Sequence, residues 1–281
     1  MISMFKHRTS IEFPPELWKE LSAKVPERKK GNFIIESVKE KLSREATKVI
    51  VLCGGEGTRM RPLTLSIPKP MLPIGYRPML EHTLQLYHDQ GFHNFVLSVG
   101  YMGEHIVKYF GNGSALGINI DYVSEKHPLG TGGSLKNSED LVNSTFFCTY
   151  GDVLFGSLNL KEIMQFHKEK QALGTIVLWK AKDARRFGLV ETDGDGRIAD
   201  FTEKPKYMTS GLINAGLYVF EPEIFKFIPK NKTISLENDV LTELVKKERL
   251  YGFVYNGYWA DIGVPEDYER VAQDFLGKKI S

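Results

Sequence analysis

From Lys48 onward, short apolar runs alternate with segments in which apolar residues recur every three or four positions. Bounded apolar runs are typical of buried strands, and the second pattern is typical of helices that pack on them. The predicted strands are KVIVLCGG, FHNFVLSVG, INIDYVSE and STFFCTYGD, and the predicted helices between them are PMLEHTLQLYHDQ, EHIVKYFG and TGGSLKNSEDLV. This alternation predicts an α/β domain with a Rossmann-like, doubly wound mixed sheet.

The second half of the chain is richer in strands. We expect strands at GTIVLW, FGLVETD, RIADFTEKP and LINAGLYVF, and helices at LENDVLTELVKK, which YGFVYNGYWADIG follows, and at PEDYERVAQDFLG. Asp193, Asp195 and Gly196 have the spacing that begins a calcium-binding loop. In that register the bidentate glutamate would fall at Thr202, so a hairpin turn is the better interpretation.

The first forty-five residues have a different pattern. RTSIEFPP alternates between polar and apolar positions, as half-buried strands do. Pro14 and Pro15 then precede a helix with Leu17, Trp18, Leu21 and Val25 on one face. Asn32 is the predicted N-cap of a second helix, whose apolar face comprises Phe33, Ile34, Ile35, Val38 and Leu42.

A strand and two helices in so few residues cannot bury a sufficient core alone. Their order resembles the ribbon-helix-helix family, in which two chains pair their strands. The resemblance implies DNA contact by Arg8, Ser10 and Glu12, or a dimerisation module without DNA. Glu12 would face phosphates, and this segment carries only 10 Lys and Arg against 7 Asp and Glu, which favours the second option. We therefore predict a pairing module over 1–46 and an α/β domain over 47–281.

Net charge and cysteine content narrow the class of protein. The formal net charge is +2, so the chain as a whole has no strong field for nucleic acid or membranes. Cys53 and Cys148 are the only cysteines and form no framework or metal knuckle. No apolar run is long enough to span a bilayer, and the N-terminus lacks the core of a signal peptide. We expect a cytoplasmic protein.

The loop after the first strand of this domain, GGEGTRMRPLTLSIPKP, has the chemistry of a phosphate site. Gly54, Gly55 and Gly57 let backbone N–H groups approach a polyphosphate, and Thr58 adds a hydroxyl. Cationic donors for phosphate oxygens are Arg59, Lys69 and Arg61. The loop matches neither the P-loop nor GxGxxG. A purely structural turn is the alternative.

Further segments give this loop a context. In order, they are PLGTGGSL, GD at Gly151 and Asp152, FGLVE, EKP, NAGLYVF and YWADIGVPEDY. Together with the loop they resemble the sugar-1-phosphate nucleotidyltransferases, from Lys48 almost to the C-terminus. The resemblance implies transfer of a nucleoside monophosphate from a triphosphate to a sugar 1-phosphate, with Mg2+ as cofactor. The nucleophile is an ionised phosphate, so no general base is needed.

The same resemblance assigns roles to individual residues. It implies that Asp152 and Asp261 hold the metal, and that Arg59 and Lys69 stabilise the phosphates during transfer. The implied nucleotide-binding residues are Leu52, Gly54, Gly55, Gly57, Thr58, Arg59, Glu125 and Gly130. The implied sugar-phosphate residues are Lys69, Gly188, Glu203, Lys204 and Asn214. For each acid the alternative is a solvated surface group or a helix cap.

In the family that the chain resembles, the residue ahead of the PLG-type loop reads the edge of the base, and the resemblance places Glu125 there. A carboxylate accepts two hydrogen bonds and donates none, which suits the adjacent N1–H and N2 amine of guanine and favours GTP. A shift of one residue would place Ser124 or Lys126 there. The stretch PLGTGGSL is similar to that of guanylyltransferases acting on mannose 1-phosphate or D-glycero-D-manno-heptose 1-phosphate. No residue of the chain distinguishes mannose from the manno-heptose. Mannose enzymes often carry a C-terminal β-helix, whereas this chain ends in a predicted helix.

Two alternatives stay open. One is the same chemistry with dTTP or UTP and glucose 1-phosphate. The other is a DNA-binding regulator that senses nucleotide sugars without turning them over. A sensor has no need of Arg59, Lys69, Asp152 and Asp261 together, so the enzyme is favoured, as a homo-oligomer paired through its N-terminal module.

Overall fold

The structure, a computed structural model, describes residues 11–125 and 127–277. The chain divides into two compact units, one up to Arg44 and one from Glu45. The first unit contains helix α1 (Pro15–Lys24), a 3-10 turn (Glu27–Lys29) and helix α2 (Lys30–Ala46). The predicted domain boundary, after residue 46, lies where α2 ends.

The first unit differs from expectation in two places. Residues 11–13, the described end of the predicted strand, form no strand, and a lone strand without a partner is not stable in water. Arg8 and Ser10 lie outside the described residues. Asn32 is not the N-cap predicted for the second helix, because α2 already begins at Lys30. The preceding 3-10 turn supplies the helix start, so the cap residue is not needed.

The second unit has thirteen strands among its described residues. In chain order they are β1 (Lys48–Cys53), β2 (Pro73–Ile74), β3 (Arg77–Pro78), β4 (Asn94–Val99), β5 (Asn119–Ser124), β6 (Phe146–Tyr150), β7 (Val153–Phe155), β8 (Gly174–Ala181), β9 (Gly188–Thr192), β10 (Ile198–Glu203), β11 (Gly211–Phe220), β12 (Leu250–Tyr255) and β13 (Trp259–Asp261). Nine of them form one sheet in the described part of the chain. The order along that sheet is β10-β9-β11-β6-β1-β4-β5, with β8 pairing both β11 and β12.

The direction of pairing confirms the predicted mixed sheet. β1 is parallel to β4 and β6, and β4 is parallel to β5, as apolar strands joined by helices should be. β11 runs antiparallel to β6, β8 and β9. Two small ribbons complete the strands, β2–β3 and β7–β13. The carboxyl ends of β1, β4, β5 and β6 therefore share one edge.

Six α-helices accompany the sheet in the part of the unit that the structure describes. They are α3 (Met79–His88), α4 (Gly103–Phe110), α5 (Gly130–Lys136), α6 (Leu160–Glu169), α7 (Thr242–Lys246) and α8 (Pro265–Leu276). Two predicted helices are shorter than expected. In the segment TGGSLKNSEDLV, α5 ends at Lys136 and a 3-10 turn follows at Glu139–Leu141. Asn137 and Ser138 between them favour turns over helix interiors. LENDVLTELVKK begins with a π-helical segment, Leu236–Leu241.

The core lies on both faces of the sheet. Val49, Val51 and Phe147 pack on one face, and Ile50, Phe146 and Cys148 on the other, because successive strand residues point to opposite sides. The turn after β9 is the predicted hairpin: Asp193 Oδ1 accepts from the backbone N–H groups of Asp195 and Arg197. No helix in the described ranges is long and apolar enough to cross a membrane.

Candidate active site

The glycine loop leaves the sheet at the carboxyl end of β1, beside the end of β6. The N–H of Gly151 donates to the carbonyl of Leu52 at 3.0 Å, which ties the two strand ends together. A Cβ at Gly151 would lie 2.9 Å from Cys53 Sγ. The close approach therefore requires glycine and holds Asp152 directly beside the loop.

Gly57 fixes the path of the loop. Its φ is +60°, a conformation that favours glycine. A Cβ there would lie 3.0 Å from Thr64 Cγ2 and 3.1 Å from Lys69 Cβ. Thr64 donates its hydroxyl to the Gly57 carbonyl at 2.8 Å. The loop is thus folded against the stem of Lys69, and that side chain is only 9% exposed.

A cavity of about 250 Å³ lies between the loop and the strand ends. Its lining contains most of the predicted nucleotide-binding residues together with Arg59 and Lys69. Arg61, the third predicted phosphate cation, does not line it and lies 3.4 Å from Glu56. The lining residues are Leu52, Cys53, Gly55, Gly57, Thr58, Arg59, Lys69, Pro70, Asp152 and Gly263. Glycine residues, two cations and a carboxylate lining one space suit a metal-bound polyphosphate.

Asp152 and Asp261 meet through the β7–β13 ribbon. Asp261 pairs with Val153 in that ribbon, and the N–H of Ile262 donates to the carbonyl of Asp152 at 3.1 Å. Each carboxylate has a cation beside it. Lys69 Nζ contacts Asp152 Oδ2, and Arg186 Nη2 lies 3.3 Å from Asp261 Oδ2.

The charge of Asp152 affects the ionisation of Asp261. Burial raises the pKa of Asp261 to about 6, and the charge of Asp152 adds to the rise, while Lys69 and Arg186 oppose it. No group of three or more His, Cys, Asp or Glu among the described residues is arranged as a metal cluster. Two crowded carboxylates nevertheless suit Mg2+, which binds to one or two carboxylates and to substrate phosphates.

A second cavity, of about 130 Å³, shares Arg59 with the first. Its lining includes the predicted sugar residues Gly188, Glu203, Lys204 and Asn214 as well as Asp261. The structure therefore brings the two predicted groups together across Arg59. The joint space can accept a nucleotide and a second phosphate ester side by side.

The geometry within this second cavity is specific. Asn214 lies at an irregularity between β11 and β8, donates to Tyr218 Oη at 2.7 Å and accepts from Gly216 N at 3.0 Å. Lys204 has a φ of +46°, which is strained for a residue with a side chain. Its Nζ lies 3.1 Å from Glu203 Oε1. Burial raises the pKa of Glu203, and Lys204 lowers it.

Glu125 and Gly130 lie beyond the end of β5. Glu125 Oε1 lies 3.4 Å from the position that a Cβ on Gly54 would take, so this carboxylate faces the start of the glycine loop. Its Oε2 accepts from Leu129 N at 3.2 Å. Gly130 has a φ of +71°, and a Cβ there would lie 2.5 Å from the Ile234 carbonyl oxygen. Neither residue lines the two cavities described above.

Sequence reasoning did not assign several residues of the second cavity to the site. Arg186, Glu237 and Trp259 line it beside the predicted ones. Glu237 accepts hydrogen bonds from Tyr150, and from Thr131 and Ser235 at 2.8 Å each. Arg186 directly precedes FGLVE and was detectable from that motif. Glu237 lies in an ordinary amphipathic segment, so no sequence signal distinguished it.

The chain is similar to known proteins in sequence and in structure. Residues 48–278 match the family model described as nucleotidyl transferase. The chain is 42% identical over 230 residues to the mannose-1-phosphate guanylyltransferase of Mycobacterium tuberculosis. That alignment covers 81% of this chain and 64% of the relative. The chain thus spans less than two thirds of the length of this curated relative.

Solved structures extend the likeness to shorter proteins. HddC from Yersinia pseudotuberculosis superposes with a TM-score of 0.70 at 31% identity, covering 82% of this chain and 99% of that one. HddC has also been solved in complex with GMP-PN. A putative glucose-1-phosphate thymidylyltransferase from Bacillus anthracis gives a TM-score of 0.74 at 25% identity, with 84% and 96% covered.

Proposed function

The chain belongs to the nucleotidyl transferase family, and from that premise we propose that it transfers GMP from GTP to a sugar 1-phosphate of the mannose or manno-heptose type. The products are a GDP-sugar and pyrophosphate. The observation that carries the proposal is the junction of two cavities at Arg59. The glycine loop, Lys69 and Asp152 line one, and Glu203, Lys204 and Asn214 line the other.

The residues suit an in-line phosphoryl displacement. An oxygen of the sugar phosphate attacks the α-phosphorus of GTP, and the bond to the bridging oxygen breaks as pyrophosphate leaves with the electron pair. The attacking oxygen is largely ionised at neutral pH, so no side chain has to remove a proton. Alignment and charge neutralisation are the remaining tasks.

Individual side chains divide these tasks. Arg59 lies where the cavities join and stabilises the departing pyrophosphate. Lys69, fixed by the glycine loop, neutralises the phosphates during transfer. Asp152 and Asp261 would hold Mg2+, which when bound supplies positive charge for the α-phosphate oxygens. Lys204 binds the sugar phosphate, and Glu203, Asn214 and the Gly188 backbone bind the sugar.

We assign guanine as the base of the triphosphate from the position of Glu125. Its carboxylate lies beside Gly54, and it can accept from both N1–H and the N2 amine of guanine. Uracil and thymine present carbonyl oxygens on either side of one N–H, which a carboxylate repels. The relative from M. tuberculosis is a guanylyltransferase, which supports the same choice. A thymidylyltransferase among the neighbours keeps dTTP with glucose 1-phosphate as the second candidate.

A matrix of triphosphates against sugar 1-phosphates, with pyrophosphate release as the readout, tests the proposal. We expect the highest kcat/KM for GTP with a manno-configured sugar. Asp152→Asn should abolish release while the circular dichroism spectrum stays unchanged. Preference for dTTP and glucose 1-phosphate would select the second candidate, and an active Asp152→Asn variant would remove the metal assignment.

The N-terminal unit is proposed to pair two chains. Among its described residues, Leu21 is the one buried apolar side chain, whereas Leu17, Trp18, Phe33, Ile35, Val38 and Leu42 are 41–60% exposed. Two such faces brought together would exclude water from these side chains. Glu12 is exposed and would oppose phosphate, so pairing without DNA is favoured. A gel-shift assay on DNA upstream of the coding region tests the regulator alternative.

We further propose that the protein acts in the cytoplasm, where nucleoside triphosphates are available.

A further inference from the structure

Arg186 lies between the carboxylates of Asp261 and Asp267. It lies in the connection between β8 and β9 and lines the second cavity. Its Nη2 lies 2.6 Å from Asp267 Oδ2 and 3.3 Å from Asp261 Oδ2. A Cβ on Gly263 would lie 2.4 Å from that same nitrogen. Glycine at position 263 therefore provides the space that the guanidinium fills.

The two cations beside the carboxylate pair differ in their freedom to move. Lys69 is 9% exposed and Asp152 is its ion-pair partner. Arg186 is 38% exposed and has two partners, of which Asp267 is the nearer. Asp267 sits in the first turn of α8. Arg186 can consequently leave Asp261 and keep a counter-ion, whereas Lys69 loses its own if it moves.

The space beside Arg186 is the predicted site of a phosphate monoester. Glu203, Lys204 and Asn214 line the same cavity. The ammonium of Lys204 lies 3.1 Å from Glu203 Oε1, so Lys204 is partly neutralised and its charge alone is a weak attraction for a dianion. A guanidinium matches a phosphate in shape and can donate two parallel hydrogen bonds.

We propose that Arg186 is a phosphate-binding residue for the sugar 1-phosphate and that it neutralises Asp261 until a divalent cation takes that carboxylate. Asp267 remains its anchor in both arrangements. The inference rests on the proposed function, and it adds a residue that couples metal binding to the second substrate. No covalent step involves Arg186.

Two measurements on Arg186→Gln test the inference. The first is KM for each substrate in the pyrophosphate assay, because an arginine that binds the sugar phosphate alters one KM and leaves the other. The second is Mn2+ binding without substrates, followed by electron paramagnetic resonance. Arg186→Lys keeps the charge, and Arg185→Gln is the matched control. Arg185 pairs with Asp183 on the exposed surface and does not line either cavity.

Arg186→Gln is expected to weaken binding of the sugar 1-phosphate and to strengthen binding of Mn2+. Arg186→Gln should raise KM for the sugar 1-phosphate about tenfold or more, because charge-assisted hydrogen bonds are lost, and should leave KM for GTP within about twofold. The same variant should bind Mn2+ about threefold more tightly, because a competing cation has left Asp261. Arg186→Lys should return the Mn2+ affinity to the wild-type value and bring the KM for the sugar 1-phosphate part of the way back. Arg185→Gln should resemble the wild type.

If the wild type is active and Arg186→Gln has the same KM for the sugar 1-phosphate, the inference about Arg186 is wrong while the proposed function stands. Equal increases in both KM values, or weaker Mn2+ binding, would also overturn it, since they indicate a structural role. Wild-type protein that released no pyrophosphate with any sugar 1-phosphate would contradict the proposed function itself, and the inference with it.

Discussion

Asp261 lies beside Asp152 in a largely buried position, and its pKa is raised from 3.8 to about 6 by burial first and then by that neighbour. A raised pKa means that the folded protein holds the proton more tightly than the unfolded chain. The stability that this proton contributes is complete below pH 3.8 and is lost as pH rises to about 6. The loss is about 3 kcal/mol for the metal-free protein.

Asp261→Asn should therefore stabilise the metal-free protein at neutral pH. Above about pH 7 and in the presence of a chelator, we expect the variant to unfold with a free energy about 2–3 kcal/mol higher than the wild type. Near pH 4 the difference should vanish, because the wild-type carboxyl is then protonated. Urea unfolding at both pH values measures this, with the exposed Asp200→Asn as control. A variant less stable than the wild type at neutral pH would contradict the account.

Glu125→Gln tests the reading of the base. An amide offers one acceptor and places a donor against the guanine N–H groups. We expect kcat/KM for GTP relative to dTTP to fall about tenfold, in line with the loss of one hydrogen bond to a charged group. Competition assays with both triphosphates give the ratio directly. An unchanged ratio would assign base selection to another residue.

At the scale of single elements, the glycine loop joins backbone conformation to the position of a cation. Gly57→Ala should destabilise the protein by about 1–2 kcal/mol, the cost of a left-handed conformation with a Cβ. The added Cβ would also press on Thr64 and Lys69, so kcat should fall. Gly55 is the matched control for stability, because nothing lies within 4 Å of a Cβ placed there.

Thermal unfolding and pyrophosphate release on the Gly57→Ala and Gly55→Ala proteins give both quantities. Equal melting temperatures for the two variants would show that the loop does not depend on Gly57. A Gly57→Ala protein with wild-type kcat would show that the loop does not position Lys69.

The elements also show what the sequence could predict. Buried strands and their ends were visible in the apolar runs, so the edge that carries the glycine loop and Asp152 was predicted correctly. The β7–β13 ribbon was not, because three-residue strands leave no periodicity, and the pairing of Asp261 with Val153 is a tertiary contact. Glu237 joins the site through the same kind of long-range packing, whereas Arg186 directly precedes the FGLVE motif. The π-helical segment that contains Glu237 likewise makes hydrogen bonds to the distant Thr131.

At the scale of the whole molecule, the exposed apolar face of α2 predicts assembly. Ile35→Glu combined with Leu42→Glu changes two positions that are 53% and 60% exposed, so the fold of one chain should survive. We expect sedimentation velocity to show a shift from dimer to monomer, with melting of the second unit unchanged. Lys41→Ala, at an exposed polar position, is the control. A dimer that persists in the double variant would place the pairing surface elsewhere.

The central claim is that the whole chain joins a nucleoside triphosphate to a sugar 1-phosphate. Phosphorus-31 NMR of the protein with GTP, Mg2+ and mannose 1-phosphate tests it most directly, because every phosphorus atom is followed. The sugar monophosphate signal should disappear while pyrophosphate and a coupled pair of diphosphate resonances grow at equal rates. Conversion of GTP to GDP and inorganic phosphate, with every sugar 1-phosphate in a panel unchanged, would contradict it.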